Sequence, residues 1–146
     1  MNRKLFFSVA FIVLLVACGK DSFQTKPQIK IKSMNGNVIP GGGTLSVNLT
    51  FTDKEGDLGD GKLVYIPRRL NRRPLPPAIP AYDSVVNILP KFPSKSLGEI
   101  QVSLGYNYLH KSDIENDTIS LRFVAVDKAG HKSDTVTSDR IVILKN

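Results

Sequence analysis

The sequence predicts an all-β fold: an antiparallel sandwich of two sheets with about seven short strands. Three observations lead there. Beyond the N-terminal segment, apolar residues recur at every second position rather than every 3.6. The runs are separated by clusters of Gly, Pro and Asp. No later stretch carries an amphipathic helical period. The chain has 146 residues, 41% hydrophobic and 23% charged, which suits one globular domain of ordinary composition. A domain of this size buries a workable core without covalent help.

The elements follow in order. Ile29 and Ile31 alternate with Lys30 and Lys32 in a first strand. After the turn Pro40-Gly41-Gly42-Gly43, Leu45, Val47, Leu49 and Phe51 alternate with Ser46, Asn48 and Thr50, the clearest strand of the chain. Leu63 to Ile66 reads as a third strand and Tyr82 to Leu89 as a fourth. Glu99 to Leu104 reads as a fifth, with Ile100, Val102 and Leu104 inward. Ile119, Leu121, Phe123 and Ala125 mark a sixth, and Ile141 and Ile143 a seventh.

The first residues read as an address rather than as fold. Asn2-Arg3-Lys4 is a positive n-region, and Leu5 to Ala17 is an apolar run broken only by Ser8. That run is too short to cross a hydrocarbon core, which needs about 20 helical residues. Leu15-Val16-Ala17-Cys18-Gly19 resembles the bacterial lipobox, a small residue before the cut and then a Cys that takes diacylglycerol. The alternative is a plain secretory signal with an incidental Cys. The expected organisation is a lipoprotein signal peptide over 1–17, a lipidated flexible tether over 18–27 and the sandwich over 28–146. Several acyl chains on Cys18 anchor stably where one does not.

The chain carries 20 Lys and Arg against 13 Asp and Glu, a net charge of +7. From Gly61 to Tyr82 stand Lys62, Arg68, Arg69, Arg72 and Arg73 with no acid, so in the chain after Ala17 the excess is local to this stretch. The sole Cys excludes an internal disulfide. With two His and no Trp there is little material for acid-base or metal chemistry, and no Gly-x-Ser-x-Gly or His-Glu-x-x-His occurs. A non-catalytic protein is expected.

Two stretches carry a family resemblance. Phe123-Val124-Ala125-Val126-Asp127-Lys128-Ala129-Gly130-His131-Lys132-Ser133 resembles the penultimate-strand, turn and last-strand pattern of bacterial Ig-like and cadherin-like modules, with His131 in place of the usual Asn. Phe51-Thr52-Asp53-Lys54-Glu55-Gly56-Asp57-Leu58-Gly59 resembles the acidic turn of small Bacteroidota lipoproteins. With Leu89-Pro90 and Gly98-Glu99-Ile100, the likeness spans most of residues 28 to 144. It implies an Ig-like sandwich anchored at the outer membrane, on its periplasmic face or at the cell surface, and it implies no activity. The antibody-type Trp and Cys pair are absent.

Four constellations are candidate sites. Asp53, Glu55, Asp57 and Asp60, spaced by Gly56, Gly59 and Gly61, offer several oxygens to one hard cation. The resemblance to cadherin-like domains implies calcium there, with Asp127 added from the later turn. The spacing is not an EF-hand, and the plain alternative is turn chemistry. Arg68, Arg69, Arg72 and Arg73 lie in a stretch with five prolines between residues 67 and 80. The prolines are expected to prevent ladder pairing and leave the guanidinium groups in water, matched to phosphate or carboxylate. Replacing all four by Gln is then expected to leave melting almost unchanged. An envelope protein or an anionic glycan fits as partner, whereas export disfavours nucleic acid; the plain alternative is a solubilising loop over a sheet edge. The third constellation, a catalytic one, reduces to Asp53 and Asp57, a poor acid-base pair, with His110 and His131 the only imidazoles.

The fourth is Asp83-Ser84-Val85, Asp117-Thr118-Ile119 and Asp134-Thr135-Val136, which look like acceptors of the O-glycosylation that Bacteroidota apply to exported proteins, at Ser84, Thr118 and Thr135. The same pattern also hands a turn over to a strand. The expectation is therefore a membrane-anchored binding or structural module meeting other proteins at the outer membrane. The alternative is a glycan-binding or calcium-dependent adhesion accessory module, which would need exposed aromatics such as Tyr65, Tyr82, Tyr106 and Tyr108.

Overall fold

The computed structural model describes residues 25–94 and 96–146. The expected signal peptide, Cys18 and the tether up to Gln24 lie outside the described residues. The fold is an all-β, two-sheet sandwich. Its strands are β1 (Gln28–Met34), β2 (Val38–Ile39), β3 (Thr44–Thr52), β4 (Lys62–Arg69), β5 (Val85–Ile88), β6 (Leu97–Gly105), β7 (Asp117–Val126), β8 (Val136–Thr137) and β9 (Ile141–Ile143), with one helical turn, α1 (Tyr106–Leu109), after β6. One sheet has the order β1-β3-β6; the other runs β2-β9-β7-β4-β5, with β8 also on β7. Neighbours pair antiparallel except β2 and β9, a short parallel contact through Val38 and Val142.

The alternating apolar residues meet between the sheets. Ile29, Leu45, Val47, Leu49, Phe51, Val102 and Leu104 face Leu63, Tyr65, Ile119, Leu121, Phe123, Ile141 and Ile143, all buried. A period of two places one side of every strand in this core, which is why the strands were legible. Gly98 on β6 serves the same core, since a Cβ there would stand 2.6 Å from the Phe51 ring.

Besides the added two-residue strands β2 and β8, three stretches depart from the sequence expectation. The fourth strand is only Val85–Ile88, because Tyr82 turns in to donate its hydroxyl to the Leu109 carbonyl instead of joining a ladder. The third runs on to Arg69, so Pro67, Arg68 and Arg69 pair with Leu121, Ser120 and Ile119. Pro67 is tolerated because Leu70 donates to Thr118 on the β7 side, so by alternation the Pro67 nitrogen faces the other edge, where β5 pairing has already stopped at Tyr65. The last is the turn Tyr106–Leu109, closed by the His110 amide on the Tyr106 carbonyl.

The register separates two outer faces. On β3 and β6 the outward residues are Thr, Ser and Asn together with Leu97, Glu99, Gln101 and Ser103. On the larger sheet Val86, Val64 and Val124 form one row across three strands, flanked by Ile88, Lys62 and Val126 on one side and by Ile66 and Arg122 on the other. Lys62, Arg68 and Arg122 are the charged groups at the outward positions of its strands, and none of those positions carries an acid. Among the described residues no helix is long and apolar enough to cross a membrane.

Candidate functional site

The chain enters the sandwich at the end that carries the acidic turn. Lys26 bonds Asp134 at 2.8 Å, and the Lys128 amide donates to the Asp57 carbonyl at 3.2 Å, tying the β3–β4 turn to the β7–β8 turn. Asp53 is buried and organises its own loop. One carboxylate oxygen accepts the Glu55 amide at 3.3 Å, and the other accepts the amides of Asp57 and Leu58 at 2.9 Å each. Positive φ at Gly56 and Asp60 lets the chain wrap around that carboxylate. Asp127, also buried, does the same for the second turn. It accepts the His131 amide at 2.8 Å, and its other oxygen lies 3.0 Å from His131 Nδ1.

Of the five residues expected to hold calcium, the structure brings Glu55 and Asp127 together and adds His131, with ligand atoms within 4.8 Å of one another. Glu55 Oε2 lies 3.9 Å from His131 Nδ1. Asp53 is turned toward its loop amides, and Asp60 stands exposed outside this group. Two carboxylates and an imidazole form a mixed set, whereas calcium favours oxygen alone. The Asp127–His131 pair also accounts for itself as an ordinary turn clamp. Asp57 lies close to both buried acids. Burial raises its carboxyl above the ordinary range, and the charges of Asp127 and Asp53 push in the same direction.

The arginines lie at the opposite end, and they do not act alike. Arg68, Arg72 and Arg73 are exposed as expected. Arg69 is not in water. Its Nε donates to Asp117 at 2.8 Å and its Nη2 to Glu115 at 2.7 Å, with the side chain 12% exposed, and Nη1 donates to the Arg73 carbonyl. Burial alone would lower its pKa, and the two carboxylates outweigh that and raise it. Asp117 is fully buried and also accepts the amides of Lys111 at 2.6 Å and Ser112 at 2.8 Å. Asn71 closes the loop, donating to the Asn116 carbonyl and accepting the Thr118 amide. Arg69 and Asp117 are 48 residues apart, so no local spacing in the sequence signals this knot. His131 had a readable signal, four residues beyond Asp127 across a glycine turn.

Ser84 and Thr135 are exposed just before β5 and β8, whereas Thr118 sits half-buried inside β7, paired with Val142. Tyr65 and Tyr106 are buried, and Tyr82 and Tyr108 half-buried. Tyr108 packs edge-on against Tyr65 and Tyr82 at 6.5 and 6.3 Å, and burial pushes its hydroxyl up to about 12.

No family model matches the sequence, and no curated protein matches it. Among solved structures it is similar to a β-glucosidase from Listeria innocua in complex with gluconolactone, at 10% identity and a TM-score of 0.47, over 82% of this chain and 16% of that one. A β-glucosidase from Kluyveromyces marxianus is similar at 9% identity and a TM-score of 0.40, over 84% of this chain and 16% of that one. The chain thus spans about a sixth of the length of those enzymes.

Proposed function

We propose that this chain is a non-catalytic binding or structural module of the bacterial envelope, held at the outer membrane by lipid on Cys18. Its partner is an acidic protein that docks on the outer face of the larger sheet. The observation that carries this is the Val86–Val64–Val124 row with Ile66, Ile88 and Val126 beside it, interspersed with Lys62, Arg68 and Arg122 and with no carboxylate. Exposed aliphatic surface favours being covered, and the cations select an occupant of opposite sign. Val86 and Ile88 are 54% and 75% exposed.

The anchor fits this geometry. Residues 19–27, at ~3.3–3.6 Å each, reach at most about 30 Å, so the acidic end stays near the lipid while Arg68, Arg72 and Arg73 sit at the far end. The aliphatic face stands to the side, where a neighbouring envelope protein meets it. The tyrosines, packed into or against the core, lend no support to a glycan platform.

A photo-crosslinker at Val124 in the anchored protein is expected to capture a discrete acidic protein, one at Thr50 on the opposite face to capture none, and Lys62→Glu with Arg122→Glu to abolish the Val124 adduct. Equal capture at both faces, or an adduct indifferent to the charge reversal, overturns the docking. Mass spectrometry of the mature N-terminus is expected to show acylated Cys18, and an unmodified Cys18 overturns the anchor.

A further inference from the structure

The sheet edges are guarded unequally. β1 carries Lys30 and Lys32 and a register shift between Ile31 and Ser33, β2 is two residues long and β5 four. Lysines, bulges and shortness are the usual protections against edge-to-edge pairing. β6 has none of them. It runs nine residues, Leu97-Gly98-Glu99-Ile100-Gln101-Val102-Ser103-Leu104-Gly105, in unbroken register with β3 and without Lys, Arg or Pro. Its one charge, Glu99, is held by Lys32 of its own sheet.

The phase of the ladder gives the free groups. Asp53 donates to the Ser96 carbonyl and Tyr106 to the Gly43 carbonyl, so the even-numbered residues of β6 bond β3. The amides and carbonyls of Leu97, Glu99, Gln101, Ser103 and Gly105 therefore point away from β3, along an edge that no described strand pairs. Beside this edge, between β5 and β6, lies a groove of about 380 Å³ lined in part by Tyr65, Ile88, Leu89, Phe92, Ile100 and Val102.

We propose that β6 pairs antiparallel with β6 of a second copy of this chain, about a two-fold axis at Gln101, joining the two three-stranded sheets into one. That register is self-complementary. Every outward residue meets an outward residue: Gln101 its own copy, Glu99 opposite Ser103, and Leu97 opposite Gly105. No like charges face each other. Leu97, 64% exposed, lies over a glycine whose Cβ position has nothing within 4 Å. On the inner side Ile100 meets Val102 of the second copy, an aliphatic pair that closes the mouth of the groove. A second copy supplies this match by symmetry. The contact is independent of the aliphatic face of the larger sheet, so either can fail alone.

The register is tested in the full anchored chain by oxidative cross-linking. Opposed residues of a bonded antiparallel pair stand ~5.5 Å apart between Cα atoms, within disulfide reach. Gln101→Cys is expected to form a covalent dimer, Ser103→Cys alone to form none, since the two copies of that residue are offset by four positions, and Glu99→Cys with Ser103→Cys to restore it. The wild-type chain, with Cys18 alone, is the control. In detergent, Gln101→Lys is expected to halve the sedimenting mass with its circular dichroism unchanged. Cross-linking that ignores register, monomers throughout, or attachment of Gln101→Cys to another protein overturns the proposal.

Discussion

At each end of the sandwich an aspartate is buried against the amides of its own loop, and the ends differ in what meets the rest of the charge. At the arginine end Asp117 accepts the Lys111 and Ser112 amides with one oxygen and the Arg69 guanidinium with the other. At the acidic end, among the described residues, Asp53 accepts three amides, and Asp127 meets the amide and the ring of His131. Both arrangements order a loop, because a carboxylate that accepts several N–H groups replaces the water it lost. Only the first also brings a permanently charged guanidinium to the buried carboxylate. The consequence at the acidic end is visible at Asp57, whose carboxyl is raised by burial and by its two acidic neighbours.

The contrast is broken first at Asp117. Asp117→Ala strands the buried Arg69 charge and two amides, and is expected to cost about 3–5 kcal/mol, read by urea unfolding. A loss smaller than that of Asp53→Ala would remove the distinction between the ends. Next, Arg69→Gln is expected to cost about 1.5–3 kcal/mol through its charged hydrogen bonds. Arg68→Gln, Arg72→Gln and Arg73→Gln together should stay within ~0.5 kcal/mol, as ordinary surface changes do. The expectation that all four arginines can be replaced with melting almost unchanged is thus narrowed to the three exposed ones, because Arg69 is paired with Asp117 and Glu115.

At the acidic end Asp53→Ala leaves the Asp57 and Leu58 amides without their acceptor and is expected to cost about 1–3 kcal/mol. The smallest effect is at Asp57, where the sign reverses. Its folded carboxyl titrates above the unfolded one, so its contribution to stability is fully present below the ordinary carboxylate range and is lost as pH rises through the raised value. Asp57→Asn is therefore expected to gain on the wild type as pH climbs from about 4 toward 7, by up to ~0.5 kcal/mol. Parallel pH profiles for the two proteins would mean that the acidic end is not short of positive charge.

How far the site was legible follows from where its signals lie along the chain. Asp53, Glu55 and Asp57 share one turn, so their proximity was written locally. The prolines of the arginine stretch argue for one solvated loop without ladder pairing, yet Pro67 sits at the part of β4 where the neighbouring strand has stopped, so β4 continues to Arg69. The expected strand from Tyr82 to Leu89 begins only at Val85, because a hydrogen bond to Leu109 takes Tyr82 elsewhere.

The sequence by itself determined the strands whose inner residues alternate, such as Leu45 to Phe51 and Ile119 to Ala125, because burial on one face of a pleated strand imposes a period of two on neighbouring residues. Only the tertiary structure decided which strand lies beside which, and therefore that Arg69 meets Asp117, that Val86, Val64 and Val124 share a row, and that β6 is an edge strand among the described residues. Those pairings join residues far apart in the chain, and a contact made by chain return leaves no periodic trace in the segments that make it.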